Sequence, residues 1–206
     1  MTNQKTLQFL KILKLAENKY SKSSKRLTGE NWKYDWQTLI ATIYSAQSRD
    51  ETTIPIMESL FEKFQTLNSL ASAKLSEIMK LTKKINYYKT KSKNSKAVAQ
   101  LLVKKFNSKI PDKIEELITL PGVGRKTANL IITEVHKKPG ITVDTHVHRI
   151  SNVLGLVETK TPTETEFALQ KIAPKKYWNK INRLFVLWGK DVPGKDKQKL
   201  LNKLKQ

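Results

Sequence analysis

The sequence contains no cysteine, which excludes disulfide bonds, thiolate zinc sites, iron–sulfur clusters and a cysteine nucleophile. Three histidines remain as imidazole ligands, and because Lys or Arg residues lie close to them we expect no metal site. Residues 1–14 lack an uninterrupted apolar run, and no other stretch approaches the roughly 18 apolar residues of a membrane span. We therefore expect an intracellular protein of the cytoplasm or nucleoid.

Acidic residues are also scarce. There are 18 Asp and Glu residues against 39 Lys and Arg residues, which gives a formal net charge of +21. A surface this positive repels itself unless a polyanion neutralises it. The composition therefore predicts nucleic acid or an anionic membrane surface as the partner.

The spacing of apolar residues is helical along almost the whole chain, as in the stripe Ile56, Leu60 and Phe64, and no segment alternates convincingly with the period of a strand. The predicted fold class is all-α. Helices are expected over 3–19, 35–47, 52–65, 75–82, 91–107, 113–119, 125–137, 145–155, 163–173, 176–190 and 196–204.

The most basic segment, residues 83–96, interleaves two tyrosines with lysines. It has two interpretations. It is either a solvated helix end, or a loop that contacts a nucleic-acid strand, in which an aromatic ring stacks on or wedges between bases while lysines neutralise phosphates.

A glycine-containing turn joins two short predicted helices at residues 118–129, with the sequence ITLPGVGRKTAN. Gly122 and Gly124 lack a Cβ, so they are able to adopt positive φ and to let a phosphate approach the main chain. The N–H groups that open the second helix form an anion site. Such a hairpin holds phosphates without reading sequence, although turns of this kind also serve packing alone.

Lys126 opens that second helix beside Arg125. The positive end of a helix dipole and a neighbouring guanidinium disfavour an ammonium ion, which favours a free amine that acts as a nucleophile. A lysine that only pairs with phosphate is the alternative.

Asp144 ends an apolar segment, in the run TVDTHVHR at 142–149, in a chain that is short of acids. It is a candidate N-cap for the helix that follows. Its carboxylate is also able to return to the same cleft as Lys126, where it would stabilise positive charge on a sugar ring.

Three segments together resemble the endonuclease III group of helix-hairpin-helix DNA glycosylases: LIATIYSAQSRD at 39–50, LPGVGRKTAN at 120–129 and VDTHVHR at 143–149. The resemblance implies two helical lobes with DNA in the cleft between them and the target base flipped out. The central lobe would span 28–138, with the helix-hairpin-helix at about 113–137. Residues 1–27 and 139–206 would form the second lobe of a monomer.

The resemblance implies a bifunctional DNA glycosylase and AP lyase that removes oxidised pyrimidines from damaged double-stranded DNA. Lys126 would attack C1′ and form a Schiff base, and β-elimination would cut the strand 3′ to the abasic site. Asp144 would support both steps. No cofactor would be needed, although a monovalent cation is possible at the hairpin.

The resemblance also implies a set of DNA contacts. Gln47 would fill the hole left by the flipped base, and Asp50 would line the pocket. His146 and Arg149 would hold the Asp144 helix and nearby phosphate. The hairpin would hold backbone phosphates, partly through main-chain groups, with Leu120, Gly122, Val123, Gly124 and Arg125.

The chain departs from the family's pattern at two places. Most members carry a [4Fe–4S] cluster on four cysteines near the C-terminus, which this chain lacks. We expect ordinary packing to replace it, through Trp178, Phe185, Trp188, Leu200, Leu201 and Leu204. At the second place, Tyr87 stands where relatives often have an aliphatic wedge residue, and we expect its ring to take that role.

Two alternatives remain. One is a glycosylase of the same superfamily that acts on T:G mismatches or alkylated bases. The other is a non-enzymatic helix-hairpin-helix DNA-binding protein, in which Lys126 is one more phosphate contact.

Overall fold

The computed structural model describes residues 2–205, with side chains from residue 4 onward, and contains no β-strand in that range. The all-α expectation is confirmed. The described residues form twelve α-helices and a short 3-10 helix at Lys175–Tyr177. The α-helices are α1 Thr2–Tyr20, α2 Asp35–Ser45, α3 Asp50–Lys63, α4 Leu67–Ser72, α5 Leu75–Thr82, α6 Tyr88–Lys105, α7 Ile114–Leu117, α8 Arg125–Glu134, α9 Thr145–Val153, α10 Pro162–Ile172, α11 Trp178–Asp191 and α12 Lys197–Lys205.

The sequence analysis missed α4. This helix begins with a reciprocal cap, in which Thr66 Oγ1 accepts from Ser69 N–H and Ser69 Oγ accepts from Thr66 N–H, both at 3.1 Å. The capping pattern was present in the sequence. The helix was missed because two turns carry too few apolar residues to show a period.

Contacts between Cα atoms divide the chain into two compact units. One contains Arg26–Lys137, and the other joins the segment up to Lys25 with the segment from Lys138 onward. No helix within residues 2–205 is long and apolar enough to cross a membrane.

Helix α2 is the centre of the Arg26–Lys137 unit. Every residue from Trp36 to Tyr44 is buried, and α3, α6 and α8 pack around the helix. The Tyr44 hydroxyl lies 3.1 Å from both Ser92 Oγ and Ser95 Oγ on α6. A helix that is buried on all sides requires neighbours on all sides, so its packing organises the unit.

Helix α11 is the corresponding element of the second unit and packs against α1 and α9. Phe185 and Trp188 are fully buried with their rings edge to face, 5.6 Å between centroids. The Trp188 indole N–H donates to the Leu200 carbonyl at 3.2 Å, which ties α12 to α11. Trp178 and Leu201, expected in the same core, are only half-buried.

Leu200 and Leu201 are neighbours on α12 that differ in burial, so alanine substitutions at the two positions test how this helix docks. Leu200 is fully buried, so Leu200→Ala should lower the free energy of unfolding by about 2–5 kcal/mol through lost burial and a residual cavity. Leu201→Ala is the matched control and should cost less, because Leu201 is half-exposed. Urea unfolding of both variants measures the difference. Equal losses would show that α12 does not dock through Leu200.

Candidate active site and nucleic-acid interface

The turn between α7 and α8 keeps its apolar side chains inside. Leu120 is 2% exposed and Val123 is 6% exposed, and both belong to the core around α2. The Val123 N–H donates to the Leu120 carbonyl at 3.1 Å, which closes the turn. The side chains of Leu120 and Val123 are therefore not available to a phosphate. Only their main-chain atoms are able to make the predicted phosphate contacts.

The two glycines of the turn have different backbone requirements. Gly122 has φ +77°, and a Cβ built on it would lie 2.6 Å from Asn94 Nδ2 on α6. Gly124 has φ −94° and ψ 177°, and a Cβ there would meet nothing within 4 Å. Gly122 therefore uses the positive φ that glycine permits, whereas Gly124 does not. The close approach of Asn94 had no signal in the sequence.

Gly124 is the N-cap residue of α8, and its carbonyl accepts the Ala128 N–H at 2.9 Å. The first N–H groups of an α-helix have no acceptor within the helix, and the dipole places partial positive charge there. Arg125 and Lys126 are the first two residues of α8, with Arg125 half-buried and Lys126 exposed. This end of α8 can therefore hold an anion and present a primary amine beside it.

Asp144 is the N-cap residue of α9. Its Oδ1 accepts the Val147 N–H at 2.9 Å, so the capping interpretation is correct. The capping bond uses one of the two carboxylate oxygens and fixes how the group is oriented. Capping and an electrostatic role in catalysis are therefore compatible.

Arg149 and His146, on α9, contact the end of α11 and the turn after it. The Arg149 guanidinium donates to the carbonyls of Gly189 at 3.0 Å and Val192 at 3.1 Å, and also to the carbonyl of Gly194. Desolvation by burial lowers the pKa of Arg149, and the charge of Asp144 opposes that shift. A Cβ at Gly189 would lie 2.4 Å from His146 Nδ1.

Arg149 was expected to hold the helix that begins at Asp144, but its carbonyl acceptors were not predicted, because they lie far away in the sequence. It clamps the chain segment that follows α11, and with His146 it holds α9 in place. Contact of either residue with phosphate stays a prediction.

Gln47 and Asp50 lie at the passage from α2 to α3. Gln47 is exposed with φ +52°, and its carbonyl accepts from Asn86 Nδ2 at 2.8 Å. Asp50 is the first residue of α3, and its Oδ1 accepts the Thr28 N–H at 3.0 Å and the Thr28 hydroxyl. Asp50 therefore holds the chain at Thr28, a contact that the sequence did not indicate.

Tyr87 immediately precedes α6 with φ +58°, and 67% of its side chain is exposed. Because this ring is exposed, it does not contribute to the packing of the hydrophobic core. Its position is compatible with the wedge role expected from the sequence.

The described residues contain no cluster of three or more His, Asp or Glu side chains suited to an ion. The iron–sulfur cluster implied by the resemblance does not fit this chain, because its ligands are thiolates and the sequence has no cysteine.

A family model described as the HhH-GPD superfamily of base excision DNA repair proteins matches residues 40–175. Endonuclease III of Thermotoga maritima is 44% identical over 157 residues, which cover 76% of this chain and 74% of the relative. Endonuclease III of a Synechocystis species is 36% identical over 169 residues, covering 80% and 77%.

The chain belongs to the HhH-GPD superfamily of base excision DNA repair proteins. Among solved structures of this superfamily, that of a trapped endonuclease III–DNA covalent intermediate matches with a TM-score of 0.83 and 30% identity, covering 90% of this chain and 86% of that one. A thermostable thymine-DNA glycosylase matches with a TM-score of 0.78 at 18% identity, covering 95% and 91%, which shows a shared fold alone.

These findings confirm the endonuclease III resemblance, the helix-hairpin-helix glycosylase fold and the enzyme class. Endonuclease III is a DNA glycosylase with AP lyase activity, and the expected function as a glycosylase and lyase for oxidised pyrimidines agrees with this membership. Binding of DNA is likewise supported by solved complexes of the relatives.

The hairpin glycines offer a matched pair of substitutions. Gly122→Ala should lower the free energy of unfolding by more than about 1 kcal/mol, because alanine is strained at φ +77° and its Cβ would clash with Asn94. Gly124→Ala makes the same chemical change in open space with φ −94°, so its cost should be smaller. Thermal unfolding of both variants compares them. A greater loss in Gly124→Ala would contradict the turn geometry.

Proposed function

We propose that this protein removes oxidised pyrimidines from damaged duplex DNA and then cleaves the strand 3′ to the abasic site by β-elimination. The observation that carries the proposal is the position of Lys126. It is an exposed amine in the first turn of α8, directly after a hairpin whose main chain is suited to bind phosphate, in a chain of the endonuclease III family.

In the proposed reaction the Lys126 amine attacks C1′ of the sugar. A bond forms between Nζ and C1′, the glycosidic bond breaks, and the damaged base leaves with the electron pair and takes up a proton. Opening of the sugar ring yields a Schiff base at C1′. The Schiff base acidifies the C2′ proton, whose loss expels the 3′ phosphate oxygen and cuts the strand. One amine therefore serves both activities.

Asp144 is proposed to stabilise the positive charge that develops on the sugar and to assist the proton transfers. Its capping bond to the Val147 N–H holds the carboxyl group at a defined position at the start of α9. The role depends on the negative charge, and an asparagine would preserve the cap without it.

The remaining predicted residues are proposed to hold the DNA. The hairpin main chain and Arg125 bind backbone phosphates, with a monovalent cation at the hairpin carbonyls as a possible addition. Gln47 fills the space left by the flipped base. Tyr87 inserts as a wedge into the DNA duplex, and Asp50 lines the pocket for the flipped base. The protein is proposed to act as a monomer on chromosomal DNA inside the cell, without an organic cofactor.

Borohydride trapping tests the nucleophile. A duplex with thymine glycol should form a covalent adduct with the wild-type protein, because borohydride reduces the Schiff base to a stable amine. Lys126→Ala should form none. Asp144→Asn should trap far more slowly while keeping the wild-type melting temperature, since asparagine still caps α9. Asp144→Ala, which loses both cap and charge, separates the two contributions.

Undamaged and T:G duplexes run in parallel distinguish the alternatives. An undiminished adduct in Lys126→Ala would refute the assigned nucleophile. The absence of an adduct together with alkali-labile sites on T:G alone would indicate a mismatch glycosylase. Salt-sensitive retention with neither adduct nor labile site would leave a DNA-binding protein.

Tyr87 is tested by affinity for a duplex that contains a stable abasic analogue. Tyr87→Ala should weaken binding by about 1–3 kcal/mol, the usual value of stacking a base on an aromatic side chain. Tyr87→Phe is the matched control and should bind like the wild type, because it keeps the ring. Equilibrium titration measures both. Equal affinity of Tyr87→Ala and wild type would exclude the wedge role.

A further inference from the structure

Lys91 is a buried cation in α6. Only 6% of the residue is exposed, and its Nζ donates to the Tyr44 carbonyl at 2.9 Å, the Ala46 carbonyl at 2.5 Å and Ser48 Oγ at 3.1 Å. An ammonium group has three N–H donors and is costly to bury unless they are satisfied. Here three donors meet three acceptors, all in one short segment of chain.

That segment is the end of α2 and the turn after it. The last carbonyls of an α-helix lack a partner within the helix, and the helix dipole places partial negative charge there. The Lys91 ammonium therefore caps α2 from a neighbouring helix. Burial lowers the pKa of Lys91 to about 8, so at pH 7 the amine is still protonated and keeps all three donors.

Gln47 lies between two of the residues that Lys91 holds. Its φ of +52° is in the left-handed region, which is unfavourable for a residue with a Cβ. Asn86 donates to the carbonyl of Gln47 itself, at 2.8 Å. The chain is therefore held before Gln47 through the Ala46 carbonyl, at Gln47 through its own carbonyl and after it through the Ser48 hydroxyl, whereas the Gln47 side chain is exposed to solvent.

The same contacts link Gln47 to Tyr87. Asn86 directly precedes Tyr87, and Lys91 is on the first turn of α6, whose N-cap residue is Tyr87. The main-chain N–H of Lys91 donates to the Tyr87 carbonyl at 3.0 Å. Both exposed side chains thus project from backbone that a single set of hydrogen bonds holds together.

We propose that Lys91 is a positioning residue for base excision, which together with Asn86 holds Gln47 in its left-handed conformation before DNA binds. The inference rests on the proposed function, in which Gln47 fills the space left by the flipped base. Because the backbone at Gln47 is already fixed in the free protein, no backbone freedom is lost when this side chain enters the space left by the base. The flipped state therefore forms more readily.

The first test is hydrogen exchange in the free protein at pH 7, followed over residues 44–49. Lys91→Met removes the ammonium group and keeps an unbranched side chain. It should raise the hydrogen-exchange rate of the backbone amides in this segment about tenfold, because this factor corresponds to the strain energy that the Lys91 contacts offset. Lys104→Met is the matched control, since Lys104 is exposed in the last turn of the same helix and its removal makes the same change of charge.

The second test is the single-turnover rate of base excision from a thymine glycol duplex at saturating enzyme. Lys91→Met should be about tenfold slower than Lys104→Met. Combined with Gln47→Ala it should cause little further loss, because a residue that acts through Gln47 has no effect once that side chain is gone. A contribution to the fold alone would add to the loss in the double variant.

Asn86→Ala keeps the inference testable if Lys91→Met fails to fold. Asn86 is exposed, so its truncation spares the core, yet it removes the bond to the Gln47 carbonyl. It should raise exchange and slow excision in the same direction, by a smaller factor.

Equal exchange in Lys91→Met and Lys104→Met would overturn the inference, as would additive losses in the double variant or an unchanged rate in Gln47→Ala. Where Lys91→Met does not fold, unchanged exchange in Asn86→Ala would overturn it. Failure of the proposed function is a distinct result, because the wild-type protein would then excise no base from any duplex, and the inference would fall with it.

Discussion

Burial of α2 on every side is the constraint on which the Arg26–Lys137 unit depends. Its buried face packs against α3, α6 and α8, so the helix that carries Lys126 is supported directly by the core. Burial also leaves the carbonyls at the end of α2 in need of donors, and Lys91 supplies them. The Lys126 amine and the turn that carries Gln47 are thus both positioned by the packing of one buried helix.

In the second unit, packing and hydrogen bonds hold α9 and α12 to α11. Trp188 lies against Phe185 and donates to the carbonyl of Leu200, which anchors α12. On the other side of the same segment, Arg149 binds carbonyls at the end of α11 and beyond it. The helix that begins at Asp144 is therefore bound to the end of α11.

Features that depend on neighbours in the sequence were predictable. The hairpin turn, the capping role of Asp144 and the placement of Lys126 in the first turn of α8 all follow from local residue types, and the family motif added their chemistry. Contacts between distant residues were not predictable, because no local pattern reveals that Lys91 reaches Tyr44 or that Arg149 reaches Gly189.

Some misses had a local signal that was too weak. The only local signal for helix α4 is the cap between Thr66 and Ser69, because its two turns show no clear apolar period. In the hairpin both glycines are able to adopt positive φ, but only Gly122 does so. A glycine's conformation depends on the surrounding chain, which in this turn includes Asn94 against Gly122.

The most direct test of the central claim is to identify the residue that becomes covalently attached to DNA. The borohydride-reduced adduct with thymine glycol duplex is digested with protease and nuclease, and mass spectrometry locates the modified side chain. A single modified lysine, Lys126, is expected. Attachment at any other lysine, or at the N-terminal amine, would contradict it.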